Sequence, residues 1–393
     1  TLTPRQRIVV QRELASMRLA TSDSAEANSV SDDYIYAGID TCALDGLCGT
    51  ACPVGIDTGK FIKKLRAEKV ESPTGRLRTG KWAERVVENF GFFEKAIGIG
   101  VSLGHAAEKI IGVNGVKSIS VVAEKITKTK LPKWNRSIPH SPKNLRVLRD
   151  EKEFIYFPSC ISRQLGSPNH HFPLSTAFQL IAERANINLY LPSDIAGHCC
   201  GMPFSSKGYK SAYQSALHKT LTQMWEWSEH GKYPIVIDTT SCTHTFKTSS
   251  DDLTPEDKEI WSQLTILDGV EFLHDHVLPK LILHPVDEEV ILHPNCSARK
   301  LGLDAKMHAI AKQCAKTAVV PFALGCCAFA GDRGLTHPEL TASATEKETA
   351  EILKRDYDGY YSSNITCEIG MKEATGKDYV SIVYLVEKAS REV

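Results

Sequence analysis

Three cysteines lie close together near the start of the chain, in the segment IDTCALDGLCGTACPVG at residues 39–55. They are Cys42, Cys48 and Cys52, and Pro53 follows the last of them. Cysteine sulfur at this density is suited to three kinds of chemistry: a zinc site, an iron–sulfur cluster or a disulfide knot. The rest of the sequence favours one of these over the others.

The spacing comes close to a known cluster-binding pattern, C-x2-C-x2-C-x3-C-P, in which the last cysteine precedes a proline. When the segment is laid over that pattern, Asp45 occupies the position of the second cysteine. The pair Asp45-Gly46 also reads as an ordinary turn. The loop therefore predicts a cluster site with one ligand exchanged.

Eight further cysteines fall into two sets with the same order, in which a single cysteine precedes a vicinal pair and another single cysteine follows it. The flanking segments repeat as well: EFIYFPSC resembles EEVILHPNC, and HCCGMPF resembles GCCAFAG. This agreement predicts an internal duplication. Cys314 falls outside the pattern, and we expect it to be a buried core thiol. The two sets are Cys160, Cys199, Cys200 and Cys242, and then Cys296, Cys326, Cys327 and Cys367.

The pattern of elements changes after a proline-containing linker at Pro132, Pro139 and Pro142. Residues before it read as helices, including the amphipathic segment TGKFIKKLRAEKV, whereas strands alternate with helices from EFIYFPSC onward. Such alternation is typical of a parallel α/β sheet. We predict an α/β fold with an all-helical domain at residues 1–145, a first α/β repeat at 146–284 and a second at 285–393.

The topology suggests where the eight cysteines meet. Cys160, Cys242, Cys296 and Cys367 each follow a predicted strand, and both vicinal pairs lie between a strand and a helix. Loops after the carboxyl ends of parallel strands collect at one edge of a sheet. We expect all eight sulfurs to converge on one side, near an axis between the two halves.

Cysteine spacing also bears on the metal. Structural zinc sites usually pair cysteines as C-x2-4-C, and no such pair exists between residues 160 and 367. Only the step from Cys48 to Cys52 suits zinc. Vicinal pairs in ordinary α/β sequence argue against secreted disulfides and favour reduced, intracellular thiols. An iron–sulfur cluster is the favoured interpretation, and zinc stays open.

Bulk properties exclude several classes of function. The formal net charge is zero, with 47 Lys plus Arg and 47 Asp plus Glu, which gives no electrostatic reason to expect a nucleic-acid partner. No uncharged apolar run of about 18 residues exists, so no transmembrane helix is expected. The polar start of the chain does not read as a signal peptide, and its first residue, Thr1, leads us to interpret the chain as a piece of a longer protein.

The motifs resemble a known family. CALDGLCGTACPVGIDTGKFIKKLR is similar to the ferredoxin-like segment of large bacterial FAD-linked D-lactate dehydrogenases of the cytochrome-linked type. FPSC, HCCGMPFSSKG, HPNC and GCCAFAG resemble the cysteine-rich CCG domains that follow it. Related modules occur in heterodisulfide reductase, in the iron–sulfur component of glycolate oxidase and in anaerobic glycerol-3-phosphate dehydrogenase. The chain looks like the C-terminal half of such an enzyme, without the flavin-binding half.

The resemblance implies an electron-transfer module that passes electrons from reduced FAD, on a flavin-binding domain absent from this chain, to a quinone or cytochrome. It implies one ferredoxin-type 4Fe–4S cluster, at least one CCG-type cluster and a cytoplasmic location, with peripheral contact at the inner face of the membrane. His198 and His293 are expected beside the clusters. Metal ligands are expected at Cys42, Cys48, Cys52, Asp45 as an alternative fourth ligand, Cys160, Cys199, Cys200, Cys242, Cys296, Cys326, Cys327 and Cys367.

The sequence departs from the heterodisulfide reductase pattern, in which each half ends in C-x-x-C. Thr245 and Gly370 occupy those last positions. One shared cluster, or one per half with an unusual ligand, therefore fits better than two complete non-cubane clusters. Two other functions stay open: a CCG cluster that itself catalyses thiol–disulfide chemistry, and a zinc-stapled interaction domain.

Overall fold

The computed structural model describes residues 1–20, 25–75, 79–127, 131–142, 151–166 and 172–392. The predicted domain boundary at residue 145 lies outside the described residues. Between residues 131 and 142 the chain has no helix or strand, in keeping with the three prolines there.

The described residues before the linker are helical, as predicted. The helices α4 and α6, bounded below, turn Ile62, Ala83 and Val87 into the protein interior. A π-helical turn, Ile35–Asp40, leads directly into the cysteine loop. The helices are α1 (Pro4–Ala20), α2 (Ala25–Tyr34), α3 (Leu47–Ala51), α4 (Thr58–Glu71), α5 (Pro73–Gly75), α6 (Lys81–Glu88) and α7 (Phe90–Thr127).

Helix α7 is unusually long and carries exposed apolar side chains along its length. Its backbone leaves helical geometry at Gly112, where φ is 71°. Residues 90–126 form one helix that is long and apolar enough to cross a membrane, judged by length and composition alone. The expectation of no such segment was wrong, because it required an uncharged run, whereas a span tolerates a few charges such as Glu108 and Lys109.

The rest of the chain contains two parallel four-stranded sheets with mixed α/β architecture. The strand orders are β2-β1-β3-β4 and β6-β5-β7-β8, so the second sheet has the same order as the first. That is the topology a duplicated domain would have; the duplication itself stays a prediction. The strands are β1 (Phe154–Phe157), β2 (Leu189–Tyr190), β3 (Ile235–Ile237), β4 (Ile266–Asp268), β5 (Val286–Leu292), β6 (Ala315–Val319), β7 (Gly359–Ser362) and β8 (Tyr379–Ser381).

Helices fill the connections between the strands, as crossovers between parallel strands require. They are α8 (Cys160–Gln164), α9 (Leu174–Arg184), α10 (Met202–Lys207), α11 (Lys210–Trp227), α12 (Thr240–Lys247), α13 (Pro255–Gln263), α14 (Gly269–Phe272), α15 (Cys296–Lys300), α16 (Asp304–Cys314), α17 (Arg333–Thr336), α18 (Pro338–Ile352), α19 (Ile365–Thr375) and α20 (Ile382–Ala389). Short π and 3-10 turns lie at Ser250–Asp252, Leu273–Val277 and Leu278–Lys280.

One hydrophobic core joins the two sheets. It contains Tyr156 and Phe178 from the first half together with Leu292, Met307 and Leu385 from the second. Cys314 is fully buried in the same core, which confirms the expectation for that thiol. Because both sheets share this core, their carboxyl edges are held at fixed positions relative to each other.

An ion pair ties the helical part to the first sheet. Arg163 on α8 donates to both carboxylate oxygens of Glu94 on α7, at 2.5 and 3.0 Å, and both side chains are almost fully buried. Glu94 also accepts from the backbone N–H of Gly197, and Arg163 donates to the carbonyl of His198. The pair thus fixes α7 against the loop that holds the first vicinal cysteines.

Candidate metal centres

The first cysteine of each set is placed by a helix cap directly after a central strand. Ser159 caps α8 and its side chain accepts from the N–H of Ser162, while Asn295 caps α15 and accepts from Ser297 and Ala298. Such caps set the direction in which a helix leaves the strand. The first cysteines, at residues 160 and 296, therefore occupy the first helical position at the carboxyl edge of their sheets.

The last cysteine of each set follows the neighbouring strand. Cys242 lies in the first turn of α12 after β3, and Cys367 lies in the first turn of α19 after β7. Because β3 pairs with β1 and β7 pairs with β5, first and last cysteines meet at the same edge.

The vicinal pairs lie in loops whose backbone is tightly folded. Cys199 and Cys200 precede Gly201, which has a φ of 76° at the start of α10. Cys326 and Cys327 precede Ala328, whose φ of 52° is rare for a residue with a side chain. This backbone turns amides back onto sulfur: Gly201 donates to Cys199 at 3.4 Å and Ala328 donates to Cys326 at 3.3 Å.

In the first half the four sulfurs form one continuous group, which we call the first quartet (Cys160, Cys199, Cys200 and Cys242). The Sγ atoms of Cys160 and Cys199 are 3.5 Å apart, and those of Cys200 and Cys242 are 3.3 Å apart. Cys199 and Cys200 contact each other as well. None of these thiols is in a disulfide.

The second half has the same arrangement, the second quartet (Cys296, Cys326, Cys327 and Cys367). Contacts run from Cys296 to Cys326, on to Cys327 and on to Cys367. The side-chain amide of Asn364 donates to the sulfur of Cys367 at 3.6 Å. All four are free thiols.

The structure brings the eight sulfurs together as two groups of four, and their expected convergence on one side of the molecule stays a prediction. Each sulfur contact named above lies within one half of the chain. The reason is geometric, since the two sheets share a core but each has its own carboxyl edge, and each edge collects only the cysteines of its own strands.

Crowding and burial make these groups unfavourable as free thiolates. The hydrogen bond with Cys199, followed by burial, raises the pKa of Cys160 well above its usual value. The hydrogen bond with Cys326 and burial do the same for the pKa of Cys296. A bound cation would supply the charge that lets these thiols deprotonate, as thiolate ligation requires. Four sulfur donors match soft metals and iron–sulfur clusters.

The second quartet has a histidine that the first lacks. His293 is fully buried, and its Nδ1 lies 2.7 Å from Oε1 of Glu348 on α18. A ring nitrogen of His293 lies within 4.8 Å of the sulfurs of Cys327 and Cys367. Burial lowers the pKa of His293, but the charge of Glu348 together with hydrogen bonds to Cys327 and Glu348 raises that pKa to about 10.

The arrangement matches a carboxylate–histidine–metal relay, in which the acid orients the ring and leaves the other nitrogen for the metal. Nε2 of His293 is buried, and the ring also interacts with the thiol of Cys327. Sequence reasoning had selected His293 but missed Glu348, because 55 residues separate them and nothing in the local sequence of α18 points to a buried acid.

His198 is placed differently. Its ring packs edge-on against Trp227 with centroids 5.2 Å apart, and burial lowers its pKa to about 4. The carbonyl of the same residue accepts from Arg163. The contacts of His198 are therefore those of a packing residue beside the first quartet.

The three cysteines of the N-terminal loop lie in three different surroundings. Cys42 is buried, Cys48 contacts the hydroxyl of Thr58 at 3.3 Å, and the pKa of Cys52 is lowered by backbone N–H groups, first that of Ile56. Among the described residues these sulfurs do not form a compact ligand set. A cluster does not need one, since each thiolate binds a different iron atom.

Asp45 reaches toward the second quartet. One carboxylate oxygen accepts from the N–H of Leu47 at 2.9 Å, in keeping with the turn that Asp45-Gly46 predicts, and Gly46 has a φ of 70°. The negative charge of Asp45 contributes to the raised pKa of Cys296 and of Cys326. The loop is thus in electrostatic contact with the second half of the chain.

A cavity of about 770 Å³ opens beside the second quartet. All four of its cysteines line this space, which lies between α4 and the helices α11, α12 and α15. Charged and polar side chains from both parts of the chain face it, including Asp45, Lys60, His244 and Lys300. Cysteines of the first quartet are absent from the described residues that line the cavity, so the two centres differ in access.

Comparison with known proteins agrees with the description of the first α/β half of the chain. The sequence profile of the CCG cysteine-rich domain matches residues 154–247, which contain the first quartet. Residues 154–247 are a CCG domain. Its presence and the cysteine groups indicate a metal-binding or redox role for the chain.

No curated protein matches the chain. Among solved structures, an aspartate racemase homologue from Pyrococcus horikoshii OT3 is similar over 60% of this chain and 96% of that chain, at 6% identity and a TM-score of 0.24.

The relay on His293 makes a prediction about metal affinity. Glu348→Gln keeps the shape of the acid but removes its charge, so His293 is no longer held for metal binding, and the affinity of the second quartet should fall about 10- to 100-fold. Chelator competition on the loaded protein measures this. Glu346→Gln, an exposed change on the same helix, is the matched control and should leave the affinity unchanged. Equal affinities of the two variants would contradict the relay.

Proposed function

We propose that the chain is the iron–sulfur electron-transfer module of a FAD-linked oxidoreductase. The observation that carries the proposal is the pair of thiol quartets, each at the carboxyl edge of a parallel sheet and free of disulfides. We assign one cluster to each quartet and a further 4Fe–4S cluster to Cys42, Cys48 and Cys52. The resemblance of the motifs to D-lactate dehydrogenases makes a D-2-hydroxy acid the proposed substrate of the parent enzyme.

The residues of the chain would act by holding and insulating such clusters. Bound clusters would each carry one electron at a time, so several in series let the two electrons of a reduced flavin leave singly. Backbone N–H groups of Gly201 and Ala328 already point at sulfur, and hydrogen bonds to cluster sulfurs are among the features that set the potential. Burial of Cys199, Cys200 and Cys242 keeps water from the first quartet.

Metal analysis of anaerobically purified protein tests this assignment. Wild-type protein should contain iron and acid-labile sulfide in similar amounts and show EPR signals on reduction by dithionite. Cys200→Ser and Cys327→Ser should each remove about one cluster, because each deletes a central ligand of one quartet. Cys314→Ser is the control, since Cys314 lies in the apolar core and should cost no iron.

Zinc provides the contrary outcome. Stoichiometric zinc without sulfide, even after anaerobic reconstitution, would overturn the electron-transfer proposal and leave the zinc-stapled scaffold in its place. Iron that is lost equally in the Cys314 and Cys327 variants would overturn the assignment of ligands while leaving the metal class intact.

The proposed partners are a flavin-binding domain and a quinone or cytochrome in the membrane, with the chain on the cytoplasmic face. Helix α7 supports membrane contact. Among its exposed side chains are Phe92, Leu103 and Ile110, at 71%, 65% and 84% exposure. Four lysines of α7 are also exposed, whereas two of its three acids, at residues 94 and 108, are engaged with an arginine and a tryptophan. Apolar and cationic side chains on one exposed helix suit an anionic membrane surface.

Vesicle sedimentation tests this contact. The protein should sediment with phosphatidylserine-containing vesicles and less with neutral ones, and Leu103→Ser combined with Ile110→Ser should reduce binding at least several-fold. Leu353→Ser changes an exposed leucine elsewhere and serves as the control. Equal sedimentation of the α7 double variant and the control would contradict a membrane contact through this helix.

The cavity supports a second candidate function, in which the second quartet reacts with a substrate. Cys296, Cys326, Cys327 and Cys367 all line a space large enough for a small molecule. Reduction of a disulfide there would take two electrons and two protons, break the S–S bond and release two thiols. The electrons would come from the reduced flavin through the other centres.

Stopped-flow oxidation separates the two functions. Dithionite-reduced protein freed of reductant is mixed with a small organic disulfide under anaerobic conditions. Release of about two thiols per disulfide, lost in Cys327→Ser and kept in Cys200→Ser under single turnover, would favour catalysis at the second quartet. If the centres stay reduced in the presence of the disulfide, the second quartet does not reduce it, and electron transfer remains the one proposed function.

A further inference from the structure

Three arginines from distant parts of the chain gather around Cys42. Arg7 comes from α1, Arg66 from α4 and Arg333 from α17 in the second half. Arg66 donates to the carbonyls of Cys42 and Ile39, at 3.0 and 2.7 Å. All three guanidinium groups interact electrostatically with one another or with Cys42. We call Arg7, Arg66 and Arg333 the arginine trio.

Arg333 stands out within the trio. The residue is only 9% exposed, yet Nε, Nη1 and Nη2 all lack a hydrogen-bond partner among the described residues. Arg7 is 8% exposed, and its Nε is also without one. Burial, followed by the positive charge of Arg66, lowers the pKa of Arg333 to about 10. A buried cation with five unused N–H donors is costly unless an anion accompanies it.

Asp40 is an acid whose charge acts on both Arg66 and Arg333. Thr41 takes one hydrogen bond from Arg7, at 3.5 Å, but is uncharged. Lys207, which occupies the position of Arg333 in the first half, is exposed and paired with an aspartate. The buried positive charge therefore gathers where the helical part meets the second half, beside a cysteine already assigned as a ligand.

On the basis of the proposed function, we propose that the arginine trio balances the negative charge of the cluster bound by Cys42, Cys48 and Cys52. Arg333, from the second half of the chain, donates hydrogen bonds to the thiolate or sulfide atoms of that cluster. Iron–sulfur clusters with thiolate ligands carry net negative charge, and hydrogen bonds to their sulfurs raise the reduction potential. Arg333 therefore helps to set the reduction potential of that cluster, as a positioning residue that links the cysteine loop to the second half of the chain.

The sharpest test is whether Arg333→Met shifts the Tm in opposite directions in metal-free and in loaded protein. In metal-free protein, Arg333→Met removes an uncompensated buried cation and should raise the Tm by on the order of 2–4 °C. In loaded protein the same change removes a partner of the cluster and should lower the Tm by a similar amount. Arg355→Met, in an exposed ion pair with Glu289, is the control and should have the same small effect in both forms.

The reduction potential provides a second readout. The EPR signal that Cys48→Ser abolishes belongs to the loop cluster, and its midpoint potential should become more negative in Arg333→Met. Arg333→Lys keeps the charge and should keep the potential near that of the wild type. An unchanged potential in Arg333→Met, or a lower Tm in both loaded and metal-free protein, would overturn the inference and leave the proposed function standing. Wild-type protein with no signal that depends on Cys48 would overturn both.

Discussion

Four sulfur atoms packed against one another at the edge of each sheet set the main constraint on this molecule. Burial and the neighbouring thiols hold the pKa of Cys160 and of Cys296 far above the usual value, so neither group is stable as thiolates without a cation. Paired parallel strands bring the first and last cysteines together, and a tight loop brings in the middle two. The fold of both halves can be understood as a way of presenting four soft donors at one point.

The two quartets differ in the side chains that surround them and in whether a cavity reaches them. The first quartet is covered by apolar side chains such as Phe157 and Phe204, which suits a site through which only electrons pass. In the second half His293 takes the place that Phe157 has in the first, and Glu348 orients it. The second quartet also faces a cavity that Lys300 lines. Under the proposed function, different donors and different access would give clusters at the two quartets different potentials and would let only the second meet a substrate.

Local sequence patterns were sufficient to predict the strands and loops that position the cysteines. The strand before Cys160, the strand before Cys296 and the burial of Cys314 follow from alternation, repetition and residue type. The short strands β4 and β8 were not predicted, because three residues give no periodic signal and neither strand leads into a repeated cysteine motif as the equally short β3 does. The separation into quartets, the acid behind His293 and the burial of Arg333 depend on how distant segments dock, which no spacing in the sequence encodes.

Polar contacts of α4 attach the helical part to the α/β part, in addition to the apolar packing of α6 and the ion pair of α7. Arg66 donates to the carbonyl of Ser206, and Lys63 pairs with Asp252. Asp45 then faces the second quartet while Arg66 faces the first cysteine of the loop. One helix therefore sets the distance between the loop and the second centre and supplies charge to the loop. Under the proposed function this rigid attachment would matter, since electron transfer weakens steeply with distance and the junction would fix the distance that an electron has to cross.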